Sequence, residues 1–189
     1  WYDKVSESVK IIDQTKLPFS LNILSLKTLE DVIRAINEMK VRGAPLIGAT
    51  AAYGIYIAYR ELKNKNNIKE EALKIMRTRP TAFNLFWAVN KMLSIIDKDE
   101  DEEVIEKILL KEAEKICEND IEQCKKIGIN GLEIINKIHQ IKGEVNILTH
   151  CNAGWLATID WGTAAAPMYL AKKNNLNIHV WVDETRPRN

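Results

Sequence analysis

The segment NILTHCNAGWLATID, at residues 146–160, constrains the fold more than any other part of the chain. It begins with apolar residues, turns polar at Thr149 and His150, reaches Gly154 and continues with small residues in a helical pattern. This order predicts a buried strand, a sharp turn and the start of a helix. In α/β proteins, ligands bind outside the carboxyl ends of such strands, and helix N-termini there offer N–H groups to anions. We therefore expect Cys151 and Asn152 to place a reactive side chain beside an anion-binding turn.

A second strand is predicted at residues 178–182, after a helix of small residues at 162–174. Strand, helix and strand in this order form a parallel unit, which is the first part of a doubly wound sheet. Because two strands do not make a stable α/β layer, we expect more chain beyond Asn189.

Charged residues follow the second strand and are predicted to lie on the same rim as Cys151. They are Asp183, Glu184 and Arg186. A carboxylate and a guanidinium there suit a polar, hydroxylated, anionic ligand, although they could equally form a salt bridge at the rim.

Cys151 has three interpretations from its residue type and position: a buried structural residue, a covalent nucleophile, or an acid or base in proton transfer. A nucleophile needs a nearby base, and the adjacent His150 is a poor candidate because neighbouring strand residues point to opposite faces. The chain's three cysteines and three histidines lack the spacing of metal ligands, so we predict no metal site and no cofactor.

The first 142 residues are predicted to form a mainly helical domain with a small β-hairpin at its start. A capping sequence opens a helix at Thr28, and residues 46–62 are apolar on nearly all sides, as in a buried helix. Gly128 and Gly131 either end a helix or permit close packing. We place the domain boundary at 142/143, with residues 143–189 forming the first βαβ unit of a Rossmann-like domain.

Two arginines are predicted to lie at turns beside helix N-termini. Arg42 precedes Gly43, which is expected to end one helix, and Pro45, which can start the next. Pro80 disfavours a helical Arg79, and Thr78 or Thr81 is expected to cap the helix at 82–96. A phosphate would suit this arrangement, but an arginine at a helix end is also an ordinary partner of the helix dipole.

The composition excludes several classes of protein. With 27 basic and 26 acidic residues, the net charge is +1, which provides no broad surface for nucleic acid or membrane. Three cysteines without paired spacing indicate no disulfide framework and a reducing, cytoplasmic setting. A hydrophobic content of 46% over 189 residues supports one large domain or two small ones.

The chain resembles the methylthioribose-1-phosphate isomerase family, aldose–ketose isomerases of methionine salvage. Motifs in family order carry the resemblance: DQTKLP (13–18), VRGAPLIG (41–48), RPTAFNL (79–85), IGINGLE (127–133), LTHCNAGWLAT (148–158), GTA (162–164) and DETRPR (183–188). The wider superfamily includes ribose-1,5-bisphosphate isomerases and the regulatory subunits of initiation factor 2B.

The resemblance implies an α/β protein with an N-terminal helical domain and a Rossmann-like domain, usually a homodimer. It implies conversion of 5-methylthioribose 1-phosphate, a small sugar phosphate, to 5-methylthioribulose 1-phosphate. By position, Cys151 is the catalytic cysteine. The residues implied to bind substrate are Arg42, Gly43, Ala44 and Arg79 at the phosphate, and Asn152, Ala153 and Gly154 at the sugar.

Some properties stay open at the level of sequence. The family pairs the cysteine with an aspartate that follows the DETRPR motif, in a segment beyond Asn189. A bisphosphate substrate, or a non-catalytic subunit that senses a sugar phosphate or nucleotide, remains an alternative. Trp87 and Trp155 are candidates for an apolar pocket, although an aromatic residue is more often part of a core.

Overall fold

The computed structural model describes residues 1–97 and 101–183, except for the side chains of Lys65 and Asn66. The described chain is mixed α/β, as predicted, and divides into two compact units, Trp1–Cys117 and Glu118–Asn189. This division falls inside the long helix α5, so the sequence-based boundary at 142/143 stays a prediction. None of the helices in the described ranges combines the length and apolar content that a membrane span requires.

The first unit begins with a three-stranded antiparallel sheet. Its strands are β1 (Tyr2–Asp3), β2 (Ser8–Ile12) and β3 (Ile23–Leu26), in the order β1-β2-β3. Val9 pairs with both Tyr2 and Leu26, and its side chain is buried. The predicted hairpin is therefore present and carries one additional short strand.

Four helices and the start of a fifth make up the rest of the first unit. They are α1 (Leu29–Asn37), α2 (Ala44–Leu62), α3 (Lys65–Thr78), α4 (Phe83–Ile96) and the first part of α5 (Glu102–Lys142). Thr28 caps α1 as predicted, because its side chain accepts from the Asp31 N–H while the Asp31 carboxylate accepts from the Thr28 N–H. This reciprocal pair satisfies two N–H groups that a helix start otherwise leaves open.

Helix α2 lies at the centre of the first unit. Every residue from 47 to 59 is buried, as its apolar sequence predicts. Gly54 permits this packing, since a β-carbon there would lie 2.9 Å from the Val32 side chain of α1 and 3.1 Å from Ile75 of α3. Close packing therefore holds α2 in place, and Arg42 and Gly43 lie immediately before its first residue.

The second unit contains the rest of α5, a two-stranded parallel sheet and one short helix. Strands β4 (Val145–Thr149) and β5 (Ile178–Val182) pair in parallel, and α6 (Ala166–Lys173) lies between them in the chain. Val145, Ile135 of α5 and Ala171 of α6 form a buried cluster. The predicted strand–helix–strand unit is therefore present.

Helix α5 is continuous, so Gly128 and Gly131 do not end it. They permit close packing against α6, the other of the two predicted possibilities. A β-carbon at Gly131 would lie 2.8 Å from the Cβ of Pro167, and one at Gly128 would lie 3.0 Å from the Leu170 side chain.

Two predictions about the first unit's turns were wrong. Helix α1 ends at Asn37 and is followed by Met39 with φ 58°, so Gly43 does not end it and instead precedes α2 with φ 96°. Neither Thr78 nor Thr81 caps α4, because Ala82 occupies the capping position without a side-chain bond.

Two predictions about the central segment also need correction. No full helix follows Gly154: a single 3-10 turn, Trp155–Ala157, is followed by irregular chain until α6 begins at Ala166. Strand β4 is only partly buried, since Asn146 and Leu148 are exposed in the described chain. The sequence did not indicate either outcome, because the exposed Leu148 is apolar and a three-residue 3-10 turn is too short to show a period.

We predict that Gly131→Ala destabilises the second unit more than Gly128→Ala. Alanine favours a helix over glycine by about 1 kcal/mol, but the rigid Pro167 ring lies closer to a β-carbon at Gly131 than the rotatable Leu170 side chain or the Ala166 Cβ lies to one at Gly128. We expect a net loss of roughly 1–3 kcal/mol for Gly131→Ala in urea unfolding. Equal or greater stability of Gly131→Ala would contradict the described packing of α5 on α6.

Candidate active site

The N-terminal turn of α2 contains three of the predicted phosphate-binding residues. Arg42 donates from Nη2 to the carbonyl of Gln14 at 3.3 Å, and the Gln14 N–H donates to the carbonyl of Lys40 at 3.0 Å. The DQTKLP and VRGAPLIG motifs therefore meet in the folded chain. Gly43 and Ala44 lie at the helix start, where backbone N–H groups have no partner within the helix, so the turn is suited to an anion.

Arg79 lies in the turn between α3 and α4, as predicted. Its side chain is half-buried, and within the described residues its Nη1 atom is buried without a hydrogen-bond partner. A buried guanidinium nitrogen without a partner is costly. An anionic ligand bound to Arg79 would remove that cost.

The starts of α2 and α4 lie close together. A β-carbon at Gly48 would be 3.0 Å from the carbonyl oxygen of Asn84, so the second turn of α2 packs against the first turn of α4. Arg42 precedes one of these turns and Arg79 precedes the other. The packing of two separate motifs thus brings both arginine-bearing turns to one end of the helix pair.

Cys151 follows β4 directly, at the carboxyl end of the parallel sheet. Its side chain is exposed, and its φ of 68° lies in the left-handed region that residues other than glycine seldom adopt. The interpretation of Cys151 as a buried structural residue is therefore wrong. Backbone conformations of this sparsely populated kind cluster at active sites and ligand-binding turns.

The rim around Cys151 contains a second pair of polar groups. The Asp183 N–H donates to the Thr149 carbonyl at 3.0 Å, and Asp183 Oδ2 lies 3.4 Å from Nδ1 of His150. Asp183 is therefore on the rim where the sequence predicts it, and His150 faces Asp183. Glu184 and Arg186 lie outside the described residues.

The loop after Cys151 folds back on itself. The Ala153 carbonyl accepts from the N–H groups of Thr163 at 3.0 Å and Ala165 at 3.3 Å. Gly162, with φ 75°, lies so close that a β-carbon there would be 2.6 Å from the carbonyl carbon of Gly154. Asn152, Ala153 and Gly154 are thus held by a second limb of chain rather than by a helix.

Two side chains on α5 lie against this loop. Asp120 Oδ2 accepts from the Ile159 N–H at 2.8 Å, and the Cys124 thiol lies 3.9 Å from Asp120 Oδ1. Burial raises the pKa of Asp120 above its ordinary value. Burial, together with the charge of Asp120, raises the pKa of Cys124 to about 11.

The structure groups the predicted site residues into two sets. Arg42, Gly43, Ala44 and Arg79 belong to the first unit, and the residues from Cys151 to Gly154 belong to the second. Trp87 and Trp155 are each about half exposed, at 45% and 47%. Across residues 1–97 and 101–183, no three side chains of His, Cys, Asp or Glu cluster as metal ligands would.

Sequence reasoning missed Asn84, Asp120 and the pairing of His150 with Asp183. Asn84 and Asp120 lie inside helical patterns, where a polar residue gives no local sign of a distant partner. The proximity of His150 to Asp183 could have been predicted. Parallel strands that end at paired residues bring the residues after them together, here after Thr149 and Val182.

The chain matches a known family over most of its length. Residues 40–189 match the initiation factor 2 subunit family. Methylthioribose-1-phosphate isomerase of Gluconobacter oxydans is 46% identical over 97% of this chain and 50% of its own length. The enzyme of that name from Desulfatibacillum aliphaticivorans is 49% identical over 97% of this chain and 51% of its own. The chain thus spans about half the length of these relatives.

Solved structures agree with these matches. The 5-methylthioribose 1-phosphate isomerase of Pyrococcus horikoshii has a TM-score of 0.84 and 35% identity, covering 99% of this chain and 52% of its own. The translation initiation factor eIF-2B subunit delta of A. fulgidus has a TM-score of 0.80 and 38% identity, covering 99% of this chain and 54% of its own.

We predict that a substoichiometric alkylating reagent modifies Cys151 well before Cys124. The thiol of Cys151 is exposed, whereas Cys124 is buried and its pKa is raised to about 11, so it contains little of the reactive thiolate near neutral pH. Peptide mapping after iodoacetamide treatment at pH 7.5 measures the order. Faster labelling of Cys124 would contradict the exposure of Cys151.

Proposed function

Because the chain belongs to the initiation factor 2 subunit family, we propose that it acts as an isomerase that converts 5-methylthioribose 1-phosphate to 5-methylthioribulose 1-phosphate in methionine salvage. The observation that carries the proposal is the position of Cys151. It is an exposed thiol on a left-handed residue, at the carboxyl end of a parallel strand. Relatives that bear the isomerase name are 45–49% identical to this chain, which supports the same activity.

The phosphate is proposed to bind at the paired helix starts of the first unit. Arg42 and Arg79 supply positive charge, and Gly43 and Ala44 supply backbone N–H groups at the start of a helix of 19 residues. The buried Nη1 of Arg79, which has no partner among the described residues, supports this role. Guanidinium groups and helix N–H groups together favour a doubly charged phosphate over a neutral sugar.

The proposed reaction is an internal redistribution of hydrogen that needs no oxidant or reductant. The bond between C1 and the ring oxygen breaks, and a proton is delivered to that oxygen. C2 then loses a hydrogen and C1 gains one, while the C2 hydroxyl loses its proton, which balances the proton taken up by the ring oxygen. C2 thereby becomes the carbonyl of the ketose. The phosphate ester on C1 prevents simple opening to a free aldehyde, so an acid is needed at the ring oxygen.

Cys151 is proposed to be the acid or base in these reaction steps. General acid or base catalysis typically contributes 10²–10⁴-fold in rate. The exposed thiol at the strand end can approach a ligand, and the backbone of Asn152–Gly154 is proposed to line the sugar. We further propose that the protein works in the cytoplasm as a homodimer, without nucleic acid.

A non-catalytic role is the second candidate. The A. fulgidus protein described as an initiation factor subunit is 38% identical to this chain, slightly more than the Pyrococcus isomerase structure. Fold similarity therefore does not separate the two functions, and a bisphosphate sugar is also compatible with the phosphate-binding arginines. The exposed Cys151 favours the enzyme, because a subunit that only binds a ligand has no need of it.

We predict that Cys151→Ala in the full-length gene product lowers kcat by at least about 10²-fold while leaving the folded structure intact. Alanine tolerates the φ of 68° no better and no worse than cysteine, so the substitution removes the thiol alone. Cys117→Ala, at a half-buried position on α5, is the control and should retain activity. Undiminished turnover by Cys151→Ala would rule out the proposed catalytic role.

Arg79→Ala is predicted to weaken binding of the sugar phosphate by roughly 10–150-fold, since a hydrogen bond to a charged group is worth about 1.5–3 kcal/mol. Arg77→Ala removes the same charge from an exposed position two residues earlier and should change affinity little. Titration calorimetry at two salt concentrations measures both. If the two variants bind equally well, the phosphate site is elsewhere.

A further inference from the structure

The loop from Asn152 to Ala165 obtains its shape from a few hydrogen bonds rather than from regular structure. Apart from the 3-10 turn Trp155–Ala157, its described residues form neither helix nor strand. A loop of this kind is precise only if specific contacts determine its path. Asn152, Ala153 and Gly154, the proposed sugar-binding residues, lie at its beginning.

One of these contacts comes from helix α5, at a distance of 39 residues in the chain. Asp120 Oδ2 accepts the Ile159 N–H at 2.8 Å, and Asp120 is half-buried. A hydrogen bond to an ionised acceptor is about twice as strong as one between neutral groups. Burial raises the pKa of this carboxyl because it disfavours the charged form. The hydrogen bond from the Ile159 N–H acts in the opposite direction and stabilises the carboxylate.

A chain of contacts in the second limb of the loop connects Ile159 to the site residues. The buried Thr158 hydroxyl accepts from the Gly162 N–H at 3.1 Å and donates to the Asp160 carbonyl at 3.0 Å. Gly162 in turn lies against the backbone of Ala153 and Gly154. A displacement at Ile159 therefore reaches the start of the loop through atoms in direct contact.

We propose that Asp120 is a positioning residue for the isomerase reaction, which holds the Asn152–Gly154 backbone in place through Ile159, Thr158 and Gly162. The inference rests on the proposed function for its effect on catalysis, but the hydrogen bond itself can be tested without turnover. Asp120 accepts the Ile159 N–H at Oδ2 and faces the Cys124 thiol at Oδ1, and the proposal assigns it no contact with the substrate.

Two substitutions separate the position of the acceptor from its charge. Asp120→Asn keeps an oxygen acceptor at the same distance from the backbone and loses the charge, and the amide NH₂ can face the Cys124 sulfur, a weak acceptor. Asp120→Glu keeps the charge but moves the acceptor by one methylene. A substitution far from the reacting atoms that shifts a site group by about 1 Å can lower the rate 10²-fold.

The expected result in the full-length gene product is kcat/KM within about threefold of wild type for Asp120→Asn and a loss of at least about tenfold for Asp120→Glu. Glu133→Ala, on an exposed position of the same helix, is the control and should match wild type in activity and melting temperature. Equal activity of Asp120→Glu and wild type overturns the proposal. So does equal impairment of Asp120→Asn and Asp120→Glu, because loss of the charge at an unchanged position would then cost as much as displacement of the acceptor.

Hydrogen exchange of the Ile159 amide distinguishes failure of this inference from failure of the proposed function. If wild type shows no isomerase turnover, the proposed function fails, and the anchor is judged from exchange alone. Faster exchange around residues 158–163 in Asp120→Glu, but not in Asp120→Asn or Glu133→Ala, supports the anchor. Unchanged exchange in all three variants overturns it, whatever the activity.

Discussion

The parallel pairing of β4 with β5 is the contact on which the arrangement around Cys151 depends. Because Thr149 and Val182 pair at the ends of their strands, the residues that follow them meet on one rim. The Asp183 N–H continues the ladder by donating to Thr149, and His150 turns toward the Asp183 carboxylate. The chain then reverses at Cys151 in a left-handed conformation, which leaves its thiol exposed. The positions of His150, Cys151 and Asp183 relative to one another therefore depend on this pairing.

Much of the fold was predictable from the sequence, for identifiable reasons. The cap at Thr28, the buried helix α2 and the strand–helix–strand order all arise from local patterns, and all are present. The errors fall where local patterns compete with distant contacts. Gly43 was expected to end a helix, but it precedes α2 with a positive φ. For Gly128 the sequence left a helix end and close packing both open, and packing against α6 at an interior position of α5 is the one that is present.

The candidate site was predictable in its residue types but not in its supports. Motif resemblance indicated Arg42, Arg79 and Cys151, and the structure places each at a turn that follows a regular element or precedes one. No local pattern indicated that Asn84 lies against Gly48, or that Asp120 binds a loop 39 residues away. Such contacts depend on how whole helices pack, and single polar residues within helical sequences carry no sign of it. The same supports could distinguish an enzyme from a subunit of similar fold, since catalysis requires a more exact backbone than binding does.

The most direct test of the central claim is to follow 5-methylthioribose 1-phosphate by NMR in deuterated water with the full-length gene product. The account predicts that resonances of 5-methylthioribulose 1-phosphate replace those of the substrate. Deuterium at C1 of the product would identify proton transfer that exchanges with solvent, and its absence would indicate hydride transfer or a shielded proton. A substrate spectrum that stays unchanged, with folded protein present, would contradict the isomerase assignment and favour the bisphosphate substrate or the non-catalytic subunit.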